Sequence, residues 1–301
     1  MNKNGFFLFL MLCLPLLFSC SDDSDDMTVT PDGYRGERVA VAFSAPGVTL
    51  LTRATDAGFE ANDTISISVV NLVDSPDSTL QASNYADGVK YVSDGTKFME
   101  VSDTIYQYKN KPLDLVYYAV YPHHQGGDSV FTFAVNADQS THQLFSLSDL
   151  SMQKVSSKDL TMELTLKHKL CNVEIQLAGT DLLSKNIAQP RLVNMCHSVQ
   201  VNQSEQTVTP HAANAADTLA VINAETILSN NGAYHFHAIV APQQIEANQH
   251  FVTIKVGGVD IPLRAANAVT LTSGIKYKFA YNLDNGDANL NARCIDVTDF
   301  E

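Results

Sequence analysis

Residues 251–263 read FVTIKVGGVDIPL, which is two short runs of alternating apolar residues joined by a pair of glycines. Glycine adopts positive φ angles without a steric penalty, so Gly257-Gly258 suits the two-residue primed turn of a β-hairpin. Pro262 has no N–H to donate to a second neighbouring strand, which places the hairpin at the edge of a sheet. The stretch therefore predicts two antiparallel strands with a tight turn between them.

The turn also determines which residues of the hairpin face each other. In that register apolar residues meet apolar residues and opposite charges meet across the strands, so the side chains favour the same pairing as the turn. The predicted pairs are Val256 with Val259, Lys255 with Asp260, and Ile254 with Ile261.

Alternation of this kind continues through most of the chain. Apolar residues recur with a period of two, and turn-forming residues separate the runs, as is typical of a β-sandwich. The clearest runs are residues 39–43, 65–69, 113–121, 131–135 and 164–177. No long amphipathic helix is predicted, only single helical turns within residues 146–153 and 213–216. The sequence predicts an all-β fold.

Two features predict how the strands divide. The apolar positions change parity at Cys171-Asn172, which indicates a β-bulge or a bend between two sheets. A polar stretch, QKVSSK at residues 153–158, separates two strand-rich halves of similar length. We predict an N-terminal β-sandwich domain over residues 37–155 and a C-terminal one over residues 156–301.

The N-terminus predicts export. Lys3 precedes an apolar run over residues 6–18, which is shorter than the about 20 residues of a membrane span and is typical of a signal peptide. The run ends in LFSC, which resembles the lipobox of bacterial lipoproteins, whose cysteine carries acyl chains such as palmitate. We predict a signal peptide over residues 1–19 and lipidation of Cys20. An ordinary secretory signal is the alternative.

The segment after Cys20 is strongly acidic. Residues 21–26 read SDDSDD, which repel one another and cannot bury surface, so residues 20–36 are predicted to be a flexible tether. The run also resembles the acidic signal that sends some lipoproteins to the outer face of the outer membrane. The chain has 19 basic and 33 acidic residues and a net charge of −14, which excludes nucleic acid as a partner.

The sequence contains none of the common catalytic, nucleotide-binding or metal-binding motifs, so we expect no enzymatic activity, no cofactor and no metal. His235 and His237 share one face of a predicted strand, where they lack a third metal ligand and are expected to be partly exposed. His168 is predicted to be a core histidine. Tyr117, Tyr118 and Tyr121 could stack on glycans, but alternation puts Tyr117 and Tyr121 on the core face and leaves only Tyr118 free, so packing is the preferred interpretation of these rings.

Three cysteines remain after export. They are Cys171, Cys196 and Cys294, and no two of them have the spacing of a zinc or redox motif. Buried free thiols are the expected state, and one disulfide among them stays open as the alternative.

Ten short motifs follow one another between about residues 50 and 283. They are LTRA at 51–54, FEANDTI at 59–65, DGTKF at 94–98, PLD at 112–114, YYAVYP at 117–122, NADQS at 136–140, SDL at 148–150, LTLKHKLCNV at 164–173, IVAPQ at 239–243 and SGIKYKF at 273–279. Their order and spacing resemble the fimbrillin family, the lipoprotein-derived subunits of adhesive pili in certain anaerobic Gram-negative bacteria.

The resemblance implies two tandem Greek-key, transthyretin-like β-sandwich domains. It implies a structural subunit of a surface pilus, or fimbrium, that assembles by donor-strand exchange, in which a protease removes the first strand and a neighbour's strand replaces it. The implied partners are other pilus subunits, the outer membrane through lipid on Cys20, and a receptor on a host or bacterial surface. The alternative is a monomeric cell-surface lipoprotein that binds glycan or another ligand through its loops.

Several residues are predicted to carry this assembly. An arginine-specific protease is expected to cut between Arg53 and Ala54, in a loop where the alternation ends; a basic loop residue without a role is the alternative. The exchanged strand spans residues 37–45 and the candidate donor strand lies beyond a flexible linker at residues 284–287. Their apolar residues are Val39, Val41 and Phe43 in the first and Ile295 and Val297 in the second.

Overall fold

A computed structural model describes residues 28–29, 35–45, 58–81, 84–211, 219–228, 234–285 and 291–300. Four predictions fall outside these residues. They are the signal peptide, the lipidation of Cys20, the cleavage between Arg53 and Ala54, and the helical turn at residues 213–216.

The first half of the described chain contains thirteen strands and one short helix. The strands are β1 Thr28–Val29, β2 Arg35–Gly36, β3 Arg38–Ala40, β4 Ala42–Ser44, β5 Ala61–Asn71, β6 Ala86–Asp94, β7 Lys97–Glu100, β8 Tyr106–Tyr108, β9 Leu115–Tyr121, β10 Val130–Ala134, β11 Ser151–Ser157, β12 Thr161–Glu163 and β13 Lys167–His168. The helix is α1, His142–Ser146.

The second half contains thirteen more strands and two single turns of 3₁₀ helix. The strands are β14 Cys171–Ala178, β15 Ile187–Cys196, β16 Ser198–Asn202, β17 Thr207–Pro210, β18 Leu219–Asn223, β19 Glu225–Leu228, β20 Tyr234–Val240, β21 Gln243–Ile245, β22 His250–Val256, β23 Val259–Ala265, β24 Val269–Leu271, β25 Ile275–Asn282 and β26 Asn291–Asp299. The 3₁₀ turns are Leu182–Lys185 and Leu283–Asn285.

Seventeen of these strands form two large sheets, as the all-β prediction requires, and the other nine form small sheets of two or three strands. The first has eight strands in the order β12-β4-β7-β6-β5-β9-β11-β13 and the second has nine in the order β18-β15-β22-β23-β26-β25-β14-β20-β19. Each sheet covers an apolar core of its own. Alternating apolar residues supply both cores, because only every second side chain of a strand points to the same face.

The hairpin of residues 251–263 has the predicted register. Val256 faces Val259, Lys255 faces Asp260 and Ile254 faces Ile261. β23 pairs with β26 only at Arg264 and Ala265. The prediction that the hairpin lies at a sheet edge is therefore wrong for the hairpin as a whole, because β22 also pairs with β15 and β23 with β26. It holds only locally: in the described structure the other side of Pro262 is without a paired strand, which suits a residue that has no N–H to donate.

The change from the first sheet to the second comes later than the predicted domain boundary. Residues 155 and 156 lie inside β11, and β11 pairs along its whole length with β9. The chain leaves the first sheet after His168 and enters the second at Cys171, where the apolar parity changes. The two halves also share structure, because β10 pairs with β16 and the second core includes Phe145.

Two local predictions are wrong. The helical turn lies at His142–Ser146 and overlaps the predicted stretch only at Ser146. It begins earlier because the Thr141 side chain accepts a hydrogen bond from the Leu144 N–H and caps it. In the predicted tether, Thr28–Val29 pairs with Arg35–Gly36 as a short antiparallel ladder. The run of adjacent acidic residues ends at residue 26, so the repulsion that predicts an open tether is much weaker around these residues.

Candidate functional site

The strand predicted to be exchanged lies inside the first sheet. β4 has β12 on one side, in parallel, and β7 on the other, antiparallel. The Ala42 N–H donates to the Leu160 carbonyl at 2.9 Å, and the Leu164 N–H donates to the Ser44 carbonyl at 2.8 Å. Removing β4 would therefore leave unpaired backbone groups on both neighbouring strands.

The predicted strand is interrupted rather than continuous. β3 pairs with β8 in a separate two-stranded ladder, and Val41 joins β3 to β4. Val41, Phe43 and Ala45 are buried, whereas Val39 is only half-buried and lies outside the core cluster. Ala45 is the buried residue that sequence reasoning missed, because a small side chain adds little to an alternation pattern.

Phe43 is the centre of the contact between β4 and the core. Its ring meets Tyr91 at 5.1 Å and Tyr117 at 6.0 Å between centroids, both edge to face. Burial raises the pKa of Tyr91 to about 12, although its hydroxyl accepts a hydrogen bond from the Ile105 N–H. The Phe43 site is therefore buried and lined by aromatic rings, so a polar side chain in place of this ring would be unfavourable.

The chain is fixed again soon after the predicted cleavage site. Phe59 packs against Phe98 at 4.8 Å and Tyr121 at 5.6 Å between ring centroids. The Glu60 carboxylate lies 3.1 Å from His142 in α1. Residues 46–57, which include Arg53 and Ala54, thus connect two anchored points. Phe59 is a second residue that the alternation did not single out.

The candidate donor strand is paired with its own sheet. β26 runs antiparallel to β25, with a register shift at Ile295. Ile295 and Val297 are 53% and 56% exposed, so about half of each apolar residue faces solvent in this arrangement. Phe300 ends the strand by stacking on His168 at 3.8 Å between ring centroids. The C-terminal strand is therefore held by its backbone pairing with β25 and β23 and by two buried side chains, Ala292 and Phe300.

The predicted flexible linker is partly structured. Asp284 lies in a 3₁₀ turn, and its carboxylate accepts hydrogen bonds from Lys185 Nζ at 2.8 Å and from the Thr180 N–H at 2.7 Å. The hydrogen bond from Lys185 is the main reason that the pKa of Asp284 is below its usual value. Residues 286 and 287 lie outside the described part of the chain.

His168 is a partly buried histidine with two polar neighbours. Its Nδ1 atom lies 2.7 Å from the Asp149 carboxylate and 3.2 Å from the Ser151 hydroxyl. A Ser-His-Asp relay needs the acid and the hydroxyl on opposite ring nitrogens, whereas here both contact the same one. This cluster cannot pass a proton from the hydroxyl through the ring to the acid.

The other two singled-out histidines contact different carboxylates. His235 Nδ1 lies 2.9 Å from Glu174, and His237 Nε2 lies 3.0 Å from Glu225. The prediction of a partly exposed face is wrong for His237, because Phe145 of α1 stacks on its ring at 3.9 Å and leaves it 1% exposed. No group of three potential ligands that could hold a metal ion occurs among the described residues.

Tyr118 does not form a glycan platform. It is fully buried in a small apolar cluster with Val70, Leu80 and Val116, and its hydroxyl donates to the Ser78 carbonyl. Alternation correctly places it opposite Tyr117, but residues 72–80 cover that face of the sheet. The ring is therefore part of a second packing layer.

The three cysteines are free thiols in this structure. Cys171 and Cys196 are buried and Cys294 is half-buried. Burial raises the pKa of Cys171 to about 12, which keeps its thiol protonated and unreactive at neutral pH.

No helix within the described residues is long and apolar enough to cross a membrane.

Glu174 carries the most crowded ionic cluster of the second sheet. Burial raises its pKa, but the hydrogen bond to His235 and the charges of Lys276 and Lys278 outweigh burial, so the pKa lies below the usual 4.5. A carboxyl whose pKa is lower when folded stabilises the fold above its unfolded pKa and loses that contribution as the pH falls through the folded value.

We therefore expect the free energy of unfolding to fall more steeply below pH 4.5 in the wild type than in Glu174→Gln. Each protein is compared with its own free energy of unfolding at pH 7. Urea titrations at several pH values, followed by circular dichroism, would measure the two slopes. Equal slopes would show that the contacts of Glu174 do not favour its ionised form.

Comparison with known proteins identifies the family. The sequence profile of the fimbrillin-like family matches residues 52–296. The chain belongs to this family. The match starts two residues before Ala54, so it does not include the predicted signal peptide, the acidic segment or β4 of this fimbrillin-like chain. The family inferred from the ordered motifs is thereby confirmed.

Solved structures share the fold of this fimbrillin-like chain. A candidate cell adhesion protein from Bacteroides uniformis ATCC 8492 is 20% identical, with a TM-score of 0.63 over 90% of this chain and 100% of that one. Another from Bacteroides ovatus ATCC 8483 is 14% identical, with a TM-score of 0.66 over 88% of this chain and 98% of that one. No curated protein matches the sequence.

Proposed function

We propose that this fimbrillin-like chain is a non-enzymatic structural subunit of an adhesive surface pilus that assembles by donor-strand exchange. It is exported as a lipoprotein through Cys20, loses its first strand by cleavage between Arg53 and Ala54, and then accepts a strand from a neighbouring subunit. Its partners are other pilus subunits, the outer membrane and a surface receptor. The two cell adhesion proteins that share its fold support this role.

The observation that carries the proposal is the place of β4 between β12 and β7. Its removal would expose the buried surface of Val41 and Phe43, each worth about 1.5–3 kcal/mol, and two open strand edges. An extended segment with alternating apolar residues can restore both the hydrogen bonds and the apolar contacts. The cleaved chain therefore has a strong tendency to bind a strand from another molecule.

The candidate donor is the C-terminal strand of another copy. To donate, β26 must leave both β25 and β23, and Phe300 must leave His168. Ile295 and Val297 would then enter a groove rather than solvent. Strand exchange would then bury apolar surface that stays exposed while β26 pairs with its own sheet. An anchor subunit would instead keep its own first strand.

The test is to treat mature protein with an arginine-specific protease and follow its size by light scattering. We expect Ala54 as a new N-terminus in folded protein, and polymers that resist SDS. Arg53→Lys is the matched control, because it keeps the charge and every other arginine but removes this cleavage site. Folded protein that is cut at Arg53, loses its first strand and stays monomeric would contradict the proposal and favour the monomeric binding protein.

Removal of residues 288–301 tests the donor separately. The cleaved, truncated chain should keep its open groove but lack a strand to offer, so it should stop growing when it is the sole subunit. Mixing it with full-length cleaved chain should cap the polymers at one end and shorten them. Polymers that grow equally well without these residues would show that another segment is the donor.

Lipidation is tested by Cys20→Ala. Several acyl chains hold a protein firmly at a membrane, whereas a chain without them lacks that anchor. We expect the variant either to leave the membrane fraction or to retain its signal peptide, as judged by fractionation and by the mass of the chain. Unchanged, fully processed protein in the membrane fraction would exclude Cys20 as the anchor.

A further inference from the structure

Asn172 is a buried polar residue whose side chain has no polar partner. It is fully buried in β14, and among the described residues neither its amide nitrogen nor its amide oxygen has a hydrogen-bond partner. Burying an amide without partners is unfavourable, and most buried side-chain polar atoms in proteins are paired. The residue therefore calls for an explanation that packing alone does not supply.

One of the two residues paired with Asn172 across the sheet carries a primary amine, and the other is Ile239 on β20. Asn172 pairs in register with Lys276 on the parallel strand β25. Adjacent strands lie about 4.8 Å apart, so the two side chains start from neighbouring points on the same face of the sheet. The Lys276 side chain is only 21% exposed, so its stem crosses this partly buried face.

A carboxylate completes the group. Glu174 lies two residues after Asn172 on β14 and therefore on the same face, and its Oε2 atom is 3.4 Å from Lys276 Nζ. Its other oxygen contacts Lys278 Nζ at 3.2 Å and His235 at 2.9 Å. The carboxylate is 12% exposed, so it can exchange protons with Lys276 with little competition from water.

We propose that Asn172 and Lys276 form an intramolecular amide bond, with Glu174 as the group that transfers the protons. In this step Lys276 Nζ gives one proton to Glu174 and attacks Cγ of Asn172. A second proton moves from the attacking nitrogen to the amide nitrogen of Asn172 by way of Glu174. The Cγ–Nδ2 bond breaks as the Nζ–Cγ bond forms, and the departing ammonia takes the proton held by Glu174.

The step balances without any further reactant. A lysine ammonium and a side-chain amide become a secondary amide and an ammonium ion, and nothing is oxidised or reduced. The reaction also removes the buried amide group that has no partner and converts one of the two cations beside Glu174 into a neutral group. Both changes suit a site with little access to water.

The bond would join strands that are far apart along the chain. β14 opens the second sheet and β25 is its penultimate strand, so the link would close a loop of about one hundred residues. A force that pulls on the two ends of this unit could not then separate β14 from β25. This property is independent of strand exchange, so the proposal stands whether or not the chain forms pili.

The test is mass spectrometry of the full-length purified chain after digestion with a lysine-specific protease. The free chain would give separate peptides 170–185 and 256–276. The cross-linked chain should give peptides 170–185 and 256–278 joined together and lighter by one molecule of ammonia, because acylated Lys276 is not cut. A folded wild-type chain that gives only the separate peptides would overturn the proposal.

Three variants distinguish this bond from other reactions. Lys276→Arg keeps the positive charge beside Glu174 but should abolish the joined peptide, because a guanidinium is not a comparable nucleophile. Lys278→Arg is the matched control and should keep it. Glu174→Gln should abolish or strongly slow the reaction in protein whose circular dichroism is unchanged. A joined peptide that persists in Lys276→Arg would assign the bond to another residue and contradict the proposal.

Discussion

Phe43→Ala is expected to lower the free energy of unfolding by about 3–5 kcal/mol, which is a large part of the stability of a typical domain. Phe43 is 2% exposed and fills the space between the Tyr91 and Tyr117 rings. Both tyrosines belong to strands that are paired on two sides, so they cannot move together to close the cavity. The loss therefore includes the cavity as well as the transfer of the ring to water.

Urea unfolding followed by circular dichroism measures this change, since the chain has no tryptophan to report it by fluorescence. Val39→Ala is the matched control, because Val39 lies on the same segment but is only half-buried, and it should cost about 1 kcal/mol. Equal losses in the two variants would mean that Phe43 is not the residue that holds β4 in the sheet. That result would also contradict the proposal that Phe43 is the main apolar contact of the exchanged strand.

Gly88→Ala is the second large effect, with an expected loss of about 2–5 kcal/mol. Gly88 has a φ of +53°, and a Cβ atom there would lie 2.5 Å from the backbone oxygen of Gly126. The Gly88 N–H also donates to the Ser68 hydroxyl at 2.9 Å, which holds this part of β6 in place. The added Cβ atom would clash with backbone atoms of Gly126, so no flexible side chain can move to relieve the clash.

Gly257→Ala separates the two causes of this loss, which are the positive φ angle and the clash with Gly126. Gly257 has nearly the same φ, +57°, but a Cβ atom there would meet nothing within 4 Å. It should therefore lose only the about 1–2 kcal/mol of a left-handed conformation. The difference between the two variants in urea unfolding measures the clash with Gly126. If Gly88→Ala costs no more than Gly257→Ala, the two backbone segments are not in contact in solution.

The hairpin at residues 251–263 shows how much a local pattern can determine. Its register was predicted correctly because the glycine turn and the cross-strand pairs both act within thirteen adjacent residues. α1 shows the opposite. Its N-cap, Thr141, was available as a signal, but a five-residue helix has too little periodicity to stand out beside long strands.

Tyr118 and His237 were placed wrongly for one reason. Alternation states which residues share a face of a strand, but it does not state what covers that face. Residues 72–80 cover Tyr118 and α1 covers His237, and both covers come from elsewhere in the chain. The domain boundary predicted at residue 155 was also read from a local pattern, whereas pairing with β9, from elsewhere in the chain, decides to which sheet β11 belongs.

The sequence by itself determined the all-β class, the hairpin and the family, because each is a property of neighbouring residues or of their order. Only the tertiary structure decided that β4 lies between β12 and β7, that β26 pairs with its own sheet, and that Asn172 lies beside Lys276. These are contacts between residues far apart in the chain, which form when buried surface and paired backbone outweigh the entropy of closing long loops. A single sequence carries no direct record of that balance.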